Sequence, residues 1–490
     1  MTRAPAFTLA QLLEVENDPR LLEFRCVRTG VLFWPQIRSV FFRMAMSDLL
    51  YGTPIDGSVS KGVPARRALA TMARSVMRNA AILVRGHARA EVCILTSGVG
   101  NQTVDGKALN RLSDHFALGH ADRTITVEEH FYWQWPKARH NGRVMLHAPL
   151  QAWNAIGARI RRKERHVRLA AQLVEMAAGN AGTLLGWRPG PAREALLVEM
   201  LAKKIAGMPQ QMRSYELMLA SIQPRVLLIL GACYGPAATL VQAARARGVI
   251  TAEYQHGAIA PGHDGYNFGG ALRDSPAYQA TLPDHFLSYG AWWNDQVNAP
   301  VSMHAIGNPH RTFRLERLAA QQRGAKDSVL ILADGIEFGI YVELARSIAA
   351  QVSKSGLRVV IRPHPTERIL VSQQYGASID DTIQIDQNDD LYASVLEAHA
   401  VVSELSTGLF ESAGIADKLF MWDTPKARFA FPTLPFESFT STEQLVALLA
   451  DDNAGRLPSQ VGDGIWAHAW QDNYARFLAG CGIGLEHGNV

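Results

Sequence analysis

Two doubly wound α/β units, joined near residue 320, are what this 490-residue sequence predicts. Three observations carry that expectation. Residues 225–255 (RVLLILGACYGPAATLVQAARARGVITAEYQ) read strand, glycine turn, helix and strand, the pattern of a parallel βαβ unit. From residue 328 a second series alternates apolar strands (SVLILAD, LRVVIRPHP, AVVSEL, KLFMWD) with helical stretches. Composition agrees, since 48% hydrophobic and 19% charged residues suit a globular chain long enough for two or three domains.

Taken in order, the first 60 residues carry aromatic pieces such as VLFWPQIRSVFF, where Trp34 and Pro35 punctuate a helix-like pattern. Residues 64–89 hold six arginines and no acid. At 100° per residue Arg67, Arg74, Arg78 and Arg85 share an arc of about 40°, with Leu69, Met72, Val76 and Leu83 opposite, so a basic amphipathic helix is expected. Residues 91–96 (EVCILT) read as a buried strand and SGVGNQTVDGK as a loop. A second basic run, ARIRRKERHVR at 158–168, continues in helical pattern to about Ala178. The βαβ unit divides into strand 225–230, helix 236–247 and strand 249–255, and two short strands follow at 284–290 and 301–309. Residues 314–327 read as helix and linker. The second series holds strands at 328–334, 357–365, 400–405 and 418–423, with helices near 340–353 and 389–398 and from about 408. A last helix near 465–480 bears Trp466, Trp470 and Phe477.

Several functions are excluded or set aside. The net charge of +4 is too small to imply nucleic acid. Cys26, Cys93, Cys233 and Cys481 lie far apart without a CxxC, which argues for reduced thiols rather than a disulfide or zinc framework. Glu14, Glu16 and Asp18 precede any long apolar run, unlike a signal peptide, and no stretch reaches the roughly 20 apolar residues of a membrane span. A cytoplasmic protein is expected, with residues 64–89 available to dock it peripherally on the anionic inner face of the membrane. The Gly98–Lys107 segment nearly matches a phosphate loop, but Ala108 replaces the hydroxyl residue that binds Mg²⁺. The Gly231–Gly235 turn is not GxGxxG, and HExxH, GxSxG and Asp-x-Asp are absent. Neither a metal nor a cofactor is expected.

Three motifs remain, each at the carboxyl end of an expected parallel strand, where open α/β sheets bind ligands. The first is Gln255-His256-Gly257, whose loop continues through His263, Asp264 and Tyr266. The second is Arg362-Pro363-His364-Pro365, an imidazole and a guanidinium held by prolines and suited to an anion. The third is Ser406-Thr407-Gly408, with Glu411 one turn on. Hydroxyls and free N–H groups at a helix start suit phosphate, and a carboxylate there can accept both hydroxyls of a ribose.

The order QHG, DHFLSYG with AIGNP, RPHP and STG-x₂-E resembles bacterial surface-polysaccharide glycosyltransferases of the GT-B fold over about residues 225–425. More narrowly it is similar to capsule-type enzymes and their relatives, the bacterial sialyltransferases, Kdo transferases and polyol-phosphate transferases. WPQIR and VDGKALNRLSD add weaker likeness at the N-terminal side. The resemblance implies two Rossmann-like domains facing a central cleft. Residues 1–320 would form the acceptor side with a helical elaboration, 321–465 the nucleotide-sugar side, and 466–490 a C-terminal helix and tail crossing back. It implies a nucleotide-sugar donor, cytidine favoured, a glycan or lipid-linked glycan acceptor, and metal-independent transfer. Arg362, His364, Ser406, Thr407 and Gly408 would hold the donor phosphate and Glu411 the ribose. Gln255, Gly257, His263 and Tyr266 would line the acceptor side. The sialyltransferases carry their base in an acidic-acidic-Gly motif, whose nearest match here is Ala333-Asp334-Gly335. His256 is the favoured base, Asp264 the second and Asp334 the third. A nucleotide-sugar 2-epimerase and a non-catalytic carbohydrate-binding subunit are the alternatives.

Overall fold

The computed structural model describes residues 7–53, 65–135, 138–319, 326–352, 356–365, 367–376, 378–380, 382–462 and 464–484. The expected boundary at residue 320 lies outside them.

Nine strands belong to the first half: β1 (Val92–Ser97), β2 (Asn101–Val104), β3 (Lys107–Asn110), β4 (Thr124–Glu129), β5 (Val144–Leu146), β6 (Val226–Ile229), β7 (Ile250–Tyr254), β8 (His285–Ser288) and β9 (Ser302–Ala305). Seven belong to the second: β10 (Ser328–Leu332), β11 (Arg358–Arg362), β12 (Ser378–Asp380), β13 (Ile383–Ile385), β14 (Ala398–Ser403), β15 (Lys418–Trp422) and β16 (Ser438–Phe439).

The first sheet runs β5-β4-β1-β6-β7-β8-β9, every pair parallel. The second runs β12-β13-β11-β10-β14-β15-β16, parallel except at β12–β13. Each sheet grows outward from its first strand, the Rossmann order, with switch points between β1 and β6 and between β10 and β14. Helices cover both faces, so central strands such as VLLI and SVLIL are buried throughout.

The helix Trp470–Gly480 crosses back to the first half. Its Trp470, Tyr474, Phe477 and Leu478 share one core with Val92, Ile94, Val226, Ala252 and Tyr254 of the first sheet. The N-terminal segment clamps the loop that follows β7. Fully buried Arg38 donates to both oxygens of Glu16 at 2.8 Å, to the Asn267 carbonyl at 3.1 Å and to the Asp264 carbonyl. A buried charge so completely paired holds its neighbours in one arrangement, because losing either partner strands the other.

Several elements differ from expectation. SGVGNQTVDGK is not a loop but a short 3₁₀ turn followed by the β2–β3 hairpin. Its turn residues Asp105 and Gly106 both take positive φ (48° and 74°), the type I′ geometry that Asp-Gly favours. The basic run at 158–168 is interrupted, because Arg162 and Lys163 turn extended between the helices Ala148–Arg161 and Glu164–Leu185. The final helix starts at Trp470 rather than 465, leaving Trp466 before it, stacked under Arg311. The helix from 408 is only Thr407–Glu411, so its macrodipole adds little. Among the described residues no helix is long and apolar enough to cross a membrane.

Candidate functional site

The carboxyl ends of both sheets face one cavity of about 350 Å³. From the second half come Asp334 after β10, Arg362 to Pro365 after β11, Asp389 to Tyr392 after β13, and Leu405 to Gly408 with Glu411 after β14. From the first half come His256 and Ala258 after β7, His310 beyond β9, and Gln102 and Arg111 from the β2–β3 hairpin. The site therefore straddles the β10/β14 switch point, where the chain's crossovers leave a crevice.

Of the residues singled out in the sequence, His256, Asp334, Arg362, His364, Ser406, Thr407, Gly408 and Glu411 line this cavity. Their roles divide on closer inspection. Glu411 is buried, its side chain makes no hydrogen bond among the described residues, and burial raises its pKa against the pull of Arg111 and Arg311. It is a carboxylate open to a ligand's hydroxyls. His364 sits over Gly335 so closely that a Cβ there would meet its ring at 2.8 Å. Only glycine, at φ 86°, lets the two strand-end loops pack this way. Burial lowers the His364 pKa and so favours the neutral imidazole.

Ser406 caps its short helix by accepting from Gly408 N at 3.2 Å. Thr407 Oγ1 accepts from Ala258 N at 2.6 Å, joining the two halves beside His256, and its O–H has no acceptor among the described residues. Arg362 is already committed: it pairs with Asp386 and donates to the carbonyls of Asn388 (2.9 Å) and Asp389 (3.1 Å) and to Ser394 Oγ (3.1 Å). It braces the 386–390 loop as one wall of the cavity. Asp334 Oδ1 accepts from Ile336 N (2.8 Å) and Glu337 N (3.2 Å), and Oδ2 lies 3.8 Å from buried Lys426. Lys426 also pairs with Glu337 (2.6 Å) and Glu404 (3.1 Å), so it is shared among three carboxylates.

Gln255, Gly257, His263, Asp264 and Tyr266 do not line the cavity. Gln255 accepts from Tyr289 N at 2.8 Å and donates to the Gly257 carbonyl at 2.9 Å, shaping the loop around His256. His263 hydrogen-bonds the Tyr234 hydroxyl at 3.1 Å. Buried Asp264 is held by its backbone carbonyl, and its Oδ2 has no hydrogen-bond partner among the described residues. Tyr266 stands directly behind His256, its hydroxyl 3.5 Å from Nδ1 and donating to Glu253 Oε1 at 2.7 Å.

That last contact reveals groups the sequence reading missed. Glu253 is wholly buried at the end of β7, 4.0 Å from His256 Nδ1, and burial raises it to about 7. Burial together with His263 and Arg111 lowers His256 to about 4. The imidazole is therefore neutral near pH 7, with a hydroxyl and a carboxyl behind it. Arg111 makes no ion pair or side-chain hydrogen bond among the described residues and shifts His256, His310, His364 and Glu411 together. It is the uncommitted guanidinium of the cavity. His310 shares a hydrogen bond of 3.1 Å with His115. A signal was present for two of them, an Asp-Gly turn feeding the Asn110-Arg111 pair and a histidine following AIGNP.

No family model matches the chain, and no curated protein matches its sequence. Solved structures resemble it distantly. UDP-GlcNAc 2-epimerase from Neisseria meningitidis bound to UDP-GlcNAc is 10% identical over 79% of this chain and 99% of that one, with a TM-score of 0.41. The glycotransferase of kitacinnamycin is 10% identical over 80% and 99%, at 0.44. Acinetobacter baumannii MurG is 10% identical over 74% and 91%, at 0.34. The strand orders, the cleft and the crossing helix decide the architecture. The fold is GT-B. Among the described residues no three His, Cys, Asp or Glu side chains gather to hold a metal ion.

Proposed function

We propose that this GT-B protein is a glycosyltransferase that moves a sugar from a nucleotide-activated donor, cytidine favoured, to a growing bacterial surface glycan. The observation that carries the reading is the single cavity at both sets of strand ends, with unpaired Glu411 on one wall and uncommitted Arg111 on the other. Glu411 accepts the ribose hydroxyls. Arg111, the Thr407 hydroxyl and His364 receive the donor phosphate, where negative charge grows as the sugar C–O bond breaks. The acceptor hydroxyl attacks the anomeric carbon, its proton passes to His256, and the nucleotide leaves with the bonding electrons. The charge of a bound phosphate raises the His256 pKa from about 4 towards the range of an effective base. Protonated His256 is met from behind by Tyr266 and Glu253. The leaving phosphate is thus met by groups of the chain itself, as metal-independent transfer requires.

A thermal-shift panel of CMP, CDP, UDP and GDP, each with and without Mg²⁺, tests the donor site. One base raises the melting temperature without Mg²⁺, and Arg111→Ala weakens its binding about tenfold or more, the worth of a charge-assisted hydrogen bond. No shift with any nucleotide overturns the donor reading. Sugar product formed from donor alone, without acceptor, replaces transfer by epimerisation.

A further inference from the structure

The helix Ala65–Val84 lies on the molecule inside out. It buries its polar residues Thr71 and Ser75, and Thr71 Oγ1 donates to the Trp133 carbonyl at 2.8 Å. On the same side Arg78 donates to the carbonyls of Val144 and Gly142, both at 2.8 Å, and Asn79 to that of Leu146 at 2.8 Å. Ile82 packs against the core, but most of the helix's large apolar residues point outward: Leu69 is 70% exposed, Met77 66% and Val84 87%. An amphipathic helix ordinarily does the reverse.

The neighbouring helix Ala148–Arg161 touches it and adds Trp153, 62% exposed, with Ile156 and Ile160. Neither helix contains an acid. Arg66, Arg67, Arg74, Arg159 and Arg161 stand exposed on the same two helices, with Arg85 exposed just past the first, and none makes an ion pair among the described residues. Beside them a recess of about 380 Å³ opens between Trp133, Trp135 and the side chains of Arg67 and Arg74.

We propose that these two helices form one docking face for an anionic lipid bilayer. The apolar residues with Trp153 enter the interface while the arginines meet lipid phosphates. The excess of unpaired positive charge chooses this occupant over a second copy of the chain, since two such faces brought together would oppose arginine with arginine. The inference extends the expected role of residues 64–89 by a second helix and assigns insertion to apolar side chains. It stands independently of the donor reading, because the face and the cleft share no residue.

Vesicle co-sedimentation tests it, using phosphatidylcholine with and without phosphatidylglycerol at low and high salt. Wild-type protein sediments with phosphatidylglycerol vesicles at low salt and less so at high salt. The double variant Met77→Glu, Ile160→Glu binds at least about tenfold more weakly. Both side chains are exposed, so its melting temperature stays at the wild-type value, and a lower one is met by repeating the assay with Trp153→Ala alone. The proposal falls if wild-type protein ignores anionic vesicles at low salt, or if both variants bind as wild type does. It also falls if light scattering finds a wild-type dimer that the double variant turns monomeric.

Discussion

Glu253, next to last in β7, has no exposed surface, and burial pushes its carboxyl up to about 7 from an ordinary 4.5. Between those values the folded state holds a proton that the unfolded state has lost, so this residue's contribution to stability falls as pH rises. Glu253→Gln keeps an acceptor for Cys233 N and Tyr266 but cannot titrate. Relative to this variant, wild-type protein should therefore lose up to about 3 kcal/mol of unfolding free energy between pH 4.5 and 8. His256 titrates in both proteins, lowered to about 4, and its opposite trend largely cancels in the comparison. Urea titrations at four pH values measure the difference, and parallel curves would mean that Glu253 is ionised throughout. Glu253 also shows why part of the site escaped the sequence. His256, His364 and Glu411 announce themselves by standing in polar strand-end motifs. An acid inside ITAEY looks like strand, and nothing local says that a tyrosine thirteen residues later will reach back to it.

At the scale of elements, legibility followed how far an element's signal is its own. The central strands β1, β6, β7, β10, β11, β14 and β15 are short apolar runs at turn-marked boundaries and were read within a few residues. The edge strands β5, β12 and β16, and β13 beside β12, have only two or three residues each, too few for any periodicity. The helix Pro191–Ile222 was missed because it packs on several neighbours, which blurs its apolar stripe, and because Pro209 lies inside it. The β2–β3 hairpin did carry a signal in Asp105-Gly106, and it is the element that brings Gln102 and Arg111 to the cavity. Gly106→Ala puts a Cβ on a residue at φ 74°, at a cost of about 1 kcal/mol. Because that strain falls on the arm carrying Arg111, the variant should also lose nucleotide affinity, while Gly106→Asn, which tolerates positive φ, retains it. Calorimetric titration of the nucleotide found in the thermal panel reads both. Equal affinity in the alanine variant and wild type would show that the hairpin turn does not set the arginine's position.

Across the whole molecule, the two halves are joined by more than the chain segment between them. Ala258 and Thr407 bond across the cleft, and Arg311 donates to the Ala413 carbonyl. The crossing helix is the strongest tie, since it follows the second sheet in sequence yet completes the core of the first. Trp470 packs edge-on to Phe116 with ring centroids 5.8 Å apart, and Tyr474 lies 4.8 Å from the same ring. Phe116 in turn meets Tyr254, the last residue of β7 before the His256 loop. A void at Trp470 would thus weaken the floor beneath one wall of the cavity, although the indole itself lies outside it. Trp470→Ala removes a buried side chain whose truncation costs about 3–5 kcal/mol where the surroundings cannot collapse. Urea unfolding followed by far-ultraviolet circular dichroism should show that loss. If the helix ties the halves into one cooperative unit, the whole transition shifts. If it merely covers the first sheet, wild-type protein already unfolds in two steps and only the earlier step moves. A loss below about 1 kcal/mol would show that the first sheet keeps its core without the crossing helix, and that the GT-B tie is an accessory in this chain.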